Sequence, residues 1–150
     1  MLYNERLTEL RENKNKKQYE IADVIGIYKG VYNEYEREYT IIPIKHLSTL
    51  CNYFNVSIDY IFSFSDIPNY KNAKSINKEI SKKRLKELRK DNKITQEQLA
   101  KQLNISRTTI TEYERGTNII ATPFLYEICK TYLISADYLL GKTDSPKYYK

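Results

Sequence analysis

In 150 residues the chain has one histidine, two cysteines, four glycines and four prolines. Each scarcity removes a class of chemistry. With His46 as the sole histidine, no histidine-based metal cluster can form within one chain. The few glycines build no glycine-rich phosphate loop, and no catalytic constellation is visible, so neither an enzyme, a cofactor nor a metal is expected. Cys51 and Cys129 lie on apolar helical faces, near Leu47 and Leu50 and near Leu125 and Ile128. They read as buried thiols in a reducing compartment, not as a disulfide framework. Apolar runs are short and interrupted by charge, and no signal peptide is visible. A cytoplasmic protein with no membrane association is expected.

What is present is a repeat. Leu85, Leu88, Gln96, Leu99, Ala100, Leu103, Ile105, Ile110, Tyr113, Glu114 and Arg115 form one helical pattern. Moved back by 78 positions without a gap, the frame gives Leu7, Leu10, Gln18, Ile21, Ala22, Ile25, Ile27, Tyr32, Tyr35, Glu36 and Arg37. The register runs from Arg6/Arg84 to Asp66/Asp144. This is a tandem duplication of a small helical unit. Units of this size bury little apolar surface, so each is expected to be only modestly stable alone.

The net charge of +6 is unevenly placed. Met1 to Asp66 carries 8 basic and 10 acidic side chains, whereas Ile67 to Lys150 carries 17 basic and 9 acidic. A compositional bias toward lysine would act on both halves alike. A basic second half points to a polyanion there, and nucleic acid is the usual one.

The expected organisation is a first unit over 1–66, a linker over 67–78 with Pro68, Asn69, Asn72 and Asn77, a second unit over 79–144 and a loose tail over 145–150. The second unit reads as five helices. The first spans Lys82 to Lys90. Thr95 and Gln98 form a capping box for the second, Gln96 to Leu103. Ser106 caps the third, from Arg107 to about Glu114, and Gly116 stops it. Thr122-Pro123 opens the fourth, which runs to about Tyr132, and Ser135 caps a short fifth ending near Gly141. Asp59 and Asp137 follow Ser57 and Ser135 at a helix start, where carboxylates complement unpaired N–H groups. Nothing reads as a strand.

Two short helices joined by a tight turn suit the major groove: one crosses the backbone and the other enters. With this arrangement the chain resembles the lambda-type helix-turn-helix regulators, the XRE-like class of phage repressors, Cro proteins and bacterial regulators. The resemblance rests on Arg84-Leu85-Lys86-Glu87-Leu88-Arg89, Thr95-Gln96-Glu97-Gln98-Leu99-Ala100, Ile105-Ser106-Arg107-Thr108-Thr109-Ile110, Tyr113-Glu114-Arg115-Gly116 and Ser135-Ala136-Asp137-Tyr138-Leu139-Leu140-Gly141. It covers almost all of the second unit and, more weakly, the first. It implies an all-α fold of two tandem lambda-repressor-like five-helix domains.

The resemblance also implies roles. Residues 106–114 enter the major groove, with Arg107, Thr108, Thr111 and Glu112 toward base edges. Arg107 is the candidate for bidentate guanine readout. Arg89, Gln96, Ser106, Thr109, Arg115, Thr117 and Asn118 fall at backbone-contacting positions. Other readings stand beside these: Gln96 as a solvated helix-start residue, and Glu112 paired with a basic neighbour, since acid near phosphate is unfavourable unless paired.

The first unit departs from the pattern. Gln18, Lys29 and Asn33 stand at the positions of Gln96, Arg107 and Thr111 and form a possible second reader. However, Tyr28 replaces the capping Ser106, at a cost of about 1 kcal/mol. Gly30 replaces Thr108 inside the reading helix, at about another 1 kcal/mol. Glu38 replaces Gly116, so a lost helix stop and negative charge in the phosphate-facing loop are expected. Tyr28, Tyr32, Tyr35 and Tyr39 share a helical face. Tyr32 and Tyr35 match core positions, while Tyr28 and Tyr39 match polar ones and suit an interface. The sequence therefore implies a double-stranded-DNA-binding transcriptional regulator, a repressor acting by operator occupancy. It is expected to be a homodimer whose first unit serves pairing or protein recognition. The alternative is a protein-interaction adaptor or antitoxin-like regulator on the same scaffold.

Overall fold

The computed structural model describes residues 2–69 and 73–148, and every regular element among them is helical. The described residues fall into two compact units, 2–69 with Tyr148 and 73–147. The first holds α1 (Tyr3–Asn13), α2 (Gln18–Ile25), α3 (Lys29–Glu36), α4 (Ile44–Phe54) and α5 (Ile58–Ile61). The second holds α6 (Lys78–Asp91), α7 (Gln96–Leu103), α8 (Arg107–Arg115), α9 (Thr122–Tyr132) and α10 (Ala136–Leu139). The all-α fold with two five-helix units matches the sequence expectation.

Each unit closes around its own apolar centre. In the second, Leu85 and Leu88 of α6, Leu99 and Leu103 of α7, Ile110 of α8, Leu125 and Ile128 of α9 and Leu139 of α10 are buried. In the first, Leu7, Ile21, Tyr32, Leu47, Leu50 and Ile61 fill the corresponding places. Side chains three and four apart on each helix face one centre, which is why five short helices suffice. Cys51 and Cys129 are buried thiols with no disulfide.

Local chemistry sets the helix ends. Thr95 Oγ1 accepts the Gln98 N–H at 3.0 Å while Gln98 Oε1 accepts the Thr95 N–H at 2.8 Å. Ser106 Oγ accepts from the Thr109 N–H at 3.3 Å. Tyr28, at the matching place before α3, offers no side-chain cap. Ser57 and Ser135 cap α5 and α10 through the Tyr60 and Tyr138 N–H groups.

Three expectations need correction. Helix α6 opens at Lys78, not Lys82, because Asn77 Oδ1 caps it through the Ile80 N–H at 3.1 Å. The Asn77 and Lys74 N–H groups donate to the Leu140 and Lys142 carbonyls, so this stretch belongs to the second unit's packing. The tail also has a fixed start: Ser135 N–H donates to Pro146 O, as Ser57 N–H does to Pro68 O. The repeat thus extends beyond Asp66/Asp144 to Pro68/Pro146. Residues 70–72 of the expected linker and 149–150 of the expected tail lie outside the described residues.

The third correction concerns Glu38. The helix stop is not lost. Glu38 takes φ +60°, as Gly116 takes +78°. The Tyr39 N–H then reaches Glu34 O at 2.9 Å, just as the Thr117 N–H reaches Glu112 O at 3.0 Å. The surrounding fold imposes the turn, and a residue with a Cβ bears its strain. The same duplication holds for every left-handed position among the described residues: Asn15/Lys93, Gly26/Asn104, Asn55/Leu133 and Ser63/Gly141.

Candidate nucleic-acid interface

Helix α8 presents Arg107 and Thr108 to solvent at its first turn. Both follow directly from the Ser106 cap, which fixes where the helix starts and so where these side chains point. Thr111, one turn on, is half-buried and donates to Gln96 Oε1 at 3.2 Å. Arg107 Nε approaches the same oxygen at 3.5 Å, a long contact that orients more than it binds. The Gln96 amide nitrogen donates to Glu114 Oε1 at 3.3 Å. Gln96 therefore bridges the start of α7 to the first turns of α8 and to the buried Glu114 carboxylate near its end. It is half-buried and networked, not a solvated bystander.

Beneath this face lies an ion pair. Arg89 Nε and Nη2 donate to the two Glu114 oxygens at 2.8 and 3.0 Å, and Nη1 donates to the Ile94 carbonyl at 3.0 Å. The side chains are 12% and 4% exposed. The Glu114 hydrogen bond raises the Arg89 pKa against the opposing effect of burial. The structure places Arg89 as the strut joining α6 to α8, with these donors committed to protein acceptors.

The other expected positions divide into two groups. Arg115, the last residue of α8, and Thr117 and Asn118 just beyond it are exposed. The Thr109 hydroxyl is hydrogen-bonded to Ser106 Oγ at 2.9 Å, so both serve the cap as well as the surface. Glu112 accepts from Asn118 Nδ2 at 3.0 Å. Its partner is an amide, where the sequence suggested a basic residue.

Two open grooves flank Arg107. One is bordered by Lys86, Thr108, Thr111 and Arg115, the other by Lys90, Lys93, Thr95 and Glu97. Lys86, Lys90 and Lys93 escaped the sequence reading; Lys86 and Lys90 are one turn apart on α6, and Lys93 lies just past its end at φ +56°. Their counterparts in the first unit are Thr8, Glu12 and Asn15. The cations are placed differently in the first unit, where Lys16 and Lys17 stand at the positions of Ile94 and Thr95.

The first unit repeats the internal wiring and changes the surface. Arg11 grips Glu36 at 2.6 and 3.1 Å and the Lys16 carbonyl at 3.0 Å. Gln18 Nε2 donates to Glu36 at 3.0 Å and to Asn33 Oδ1 at 3.2 Å. Burial alone would raise the Glu36 pKa, but the hydrogen bonds from Arg11 and Gln18 outweigh it and hold the carboxyl below the ordinary value. Thr40 donates to Glu34 at 2.7 Å, matching the Asn118–Glu112 bond. Outside, Lys29 is exposed, Tyr28 is 87% exposed and Tyr39 is 71% exposed. His46, half-buried, meets the Tyr35 hydroxyl at 3.2 Å.

No group of three or more potential metal ligands occurs among the described residues. No helix among them is long and apolar enough to cross a membrane.

Comparison with known proteins agrees with this geometry. The helix-turn-helix family model HTH_3 matches twice, over residues 7–61 and 85–139. The chain is 36% identical over 70 residues to the uncharacterized HTH-type transcriptional regulator YobD of Bacillus subtilis (strain 168), covering 47% of this chain and 62% of that protein. It is 40% identical over 65 residues to the HTH-type transcriptional regulator ImmR of the same organism, covering 43% and 51% respectively. In both cases the match spans less than two thirds of the relative's length. No solved structure matches the chain significantly. Two matched regions, each built around the same helix pair, establish that the chain belongs to the helix-turn-helix family of XRE/Cro-CI-like regulators.

Proposed function

We propose that this chain is a sequence-specific, double-stranded-DNA-binding transcriptional regulator whose second unit reads the major groove through residues 106–114. Arg107 and Thr108 meet base edges, with Thr111 and Glu112 one turn further along. Gln96, Ser106, Thr109, Arg115, Thr117 and Asn118 meet or support contacts to the phosphate backbone, and Arg89 holds the reading helix from behind. Lys86, Lys90 and Lys93 add sequence-independent attraction. Operator occupancy blocks polymerase, so the regulator acts as a repressor in the cytoplasm, without catalysis, metal or cofactor.

The observation that carries this reading is the contrast between two units with one internal framework. The second has an exposed Arg107 bordered by three lysines. The first has Lys29 between Tyr28 and Gly30, and Glu12 at the position of Lys90. The first unit therefore does not read DNA, although Gln18, Lys29 and Asn33 retain the chemistry to touch it. Selection from a random duplex pool with the wild type and Arg107→Ala tests this. One motif recovered by the wild type and lost by the variant supports it. Absence of any enriched motif from folded wild-type protein would overturn it.

A protein-interaction adaptor is the second reading, and the exposed Tyr28 and Tyr39 favour it. It has no use for the lysines around Arg107. Salt-sensitive, sequence-dependent duplex binding separates the two.

A further inference from the structure

The lysines of α6 extend beyond the grooves beside Arg107. Lys78 and Lys82, one turn apart, border a shallow groove between α6 and the loop that follows α8, together with Ser81, Gly116 and Asn118. Lys78 is exposed, and the Lys82 side chain is 33% exposed. The Lys82 stem lies directly on Gly116: a Cβ there would stand 2.9 Å from Lys82 Cδ. A bare glycine is what lets the stem lie against the loop. In the first unit Asn4 and Glu38 stand at the places of Lys82 and Gly116. Asn4 is buried and donates to the Glu36 carbonyl at 3.0 Å, while Glu38 is exposed. Where one unit has a buried amide and an exposed acid, the other has a cation and a glycine.

We infer that Lys78 and Lys82 hold a backbone phosphate of the duplex beyond the C-terminal end of α8, beside Thr117 and Asn118. The inference deepens the proposed function and rests on the second unit binding duplex DNA through α8. Its basis is span. The nine residues of α8 measure about 13 Å, close to the ~12 Å width of the major groove. Groups just past its two ends therefore fall at opposite strands. At the Arg107 end stand Lys90 and Lys93, and at the Gly116 end stand Lys78 and Lys82. Cations from α6 and the residue just beyond it thus bracket the helix from both strands and fix its seat in the groove without reading sequence. Glu79 is the acid at this site: its Oε2 meets Lys82 Nζ at 2.6 Å, with the Glu79 side chain 77% exposed. A pair so open to water is weak, and a phosphate displaces it. Glu79 then acts as a brake on binding.

Titration of the full chain against the selected duplex and a mixed-sequence duplex, over a range of salt concentrations, tests the site. Lys78→Ala with Lys82→Ala should weaken binding to both duplexes and lower the slope of log affinity against log salt by about 1, the share of one phosphate. Lys78→Ala alone, which leaves Lys82 on Gly116, should act in the same direction. Glu79→Gln should tighten binding about threefold, a small gain because the pair it removes is exposed. Ethylation of single phosphates on the selected duplex locates the contact. One ethyl group beyond the bases met by α8 should weaken the wild type, and the double variant should be indifferent to it. Lys130→Ala, on α9 and outside the groove, controls for general loss of charge and should leave the ethylation pattern unchanged. A double variant with the wild-type slope and ethylation pattern, a Lys130→Ala slope that falls as far, or a Glu79→Gln variant that binds no tighter would overturn the site. Failure of the proposed function looks different: the wild type then selects no motif, whereas failure of this site leaves the motif and its loss in Arg107→Ala intact.

Discussion

Arg89 and Glu114 hold each other through two parallel hydrogen bonds of 2.8 and 3.0 Å, and Arg11 and Glu36 repeat the bond 78 residues earlier. The pair ties the first helix of each unit to the end of its third. Since Gln96 and Gln18 lean on the same carboxylates, the pair also sets the helix that faces outward. One framework thus supports two different surfaces.

Removing one partner of such a pair leaves a buried charge without compensation. Arg89→Ala is expected to destabilise the second unit by about 3–5 kcal/mol, much more than loss of a surface cation. Urea unfolding monitored by circular dichroism measures it. A change below about 1 kcal/mol would mean that Arg89 is a surface residue and free to contact phosphate.

Acid should act on the first unit through Glu36. Its folded pKa lies below the unfolded value, so the unfolded chain binds the proton more readily in the window between them. The stabilisation is complete above the ordinary glutamate pKa of about 4.3 and disappears as pH falls through the lower folded value. Unfolding followed from pH 7 to pH 2 should show this loss, and Glu36→Gln should flatten it while lowering stability at neutral pH. A Glu36→Gln profile as steep as that of the wild type would contradict the assignment.

Leu133 holds a left-handed backbone where the first unit has asparagine, and Gly30 leaves a helix-interior position without a side chain. Leu133 sits at φ +54° and is 70% exposed, where the first unit has Asn55 at +56°. Leu133→Asn should stabilise by up to about 1 kcal/mol, since asparagine tolerates this conformation. Gly30→Ala should add about 0.5–1 kcal/mol, because the new methyl group meets open space and the unfolded chain loses freedom. Thermal melts of both variants check the sign.

Lys90 borders the groove beside Arg107 and has an acidic counterpart, Glu12. Lys90→Ala should weaken binding to all duplexes alike and reduce the slope of log affinity against log salt by about 1. Sequence preference should not change. A shift in the preferred motif would place Lys90 among the base readers.

Much of the fold was legible because hydrophobic spacing, the Thr95 capping box and the Ser106 and Ser135 caps are local signals with one structural meaning each. The repeat supplied the rest: weak helices in the first unit could be read through stronger ones in the second. What escaped depends on distant partners. Asn77 caps a helix whose first turn is held by the far end of the unit, so its proline, asparagines and lysines made the stretch look like linker. Glu38 keeps a left-handed turn that its side chain disfavours, because tertiary packing outweighs local propensity. Arg89 has the sequence of a surface cation, and only the approach of Glu114 shows it to be a strut. Lys86 and Lys90, four residues apart, could be read as one turn of a helix, but their nearness to Arg107 needed three dimensions.

The central claim is that base reading resides in the second unit alone. Titration of the selected duplex with the wild type, Arg107→Ala and Lys29→Ala, at two salt concentrations, tests it most directly. Arg107→Ala should lose about 1–3 kcal/mol of discrimination between the selected duplex and one altered at the guanine contact, while Lys29→Ala should retain the wild-type preference. Equal loss of preference in both variants would contradict the claim and make the first unit a second reader.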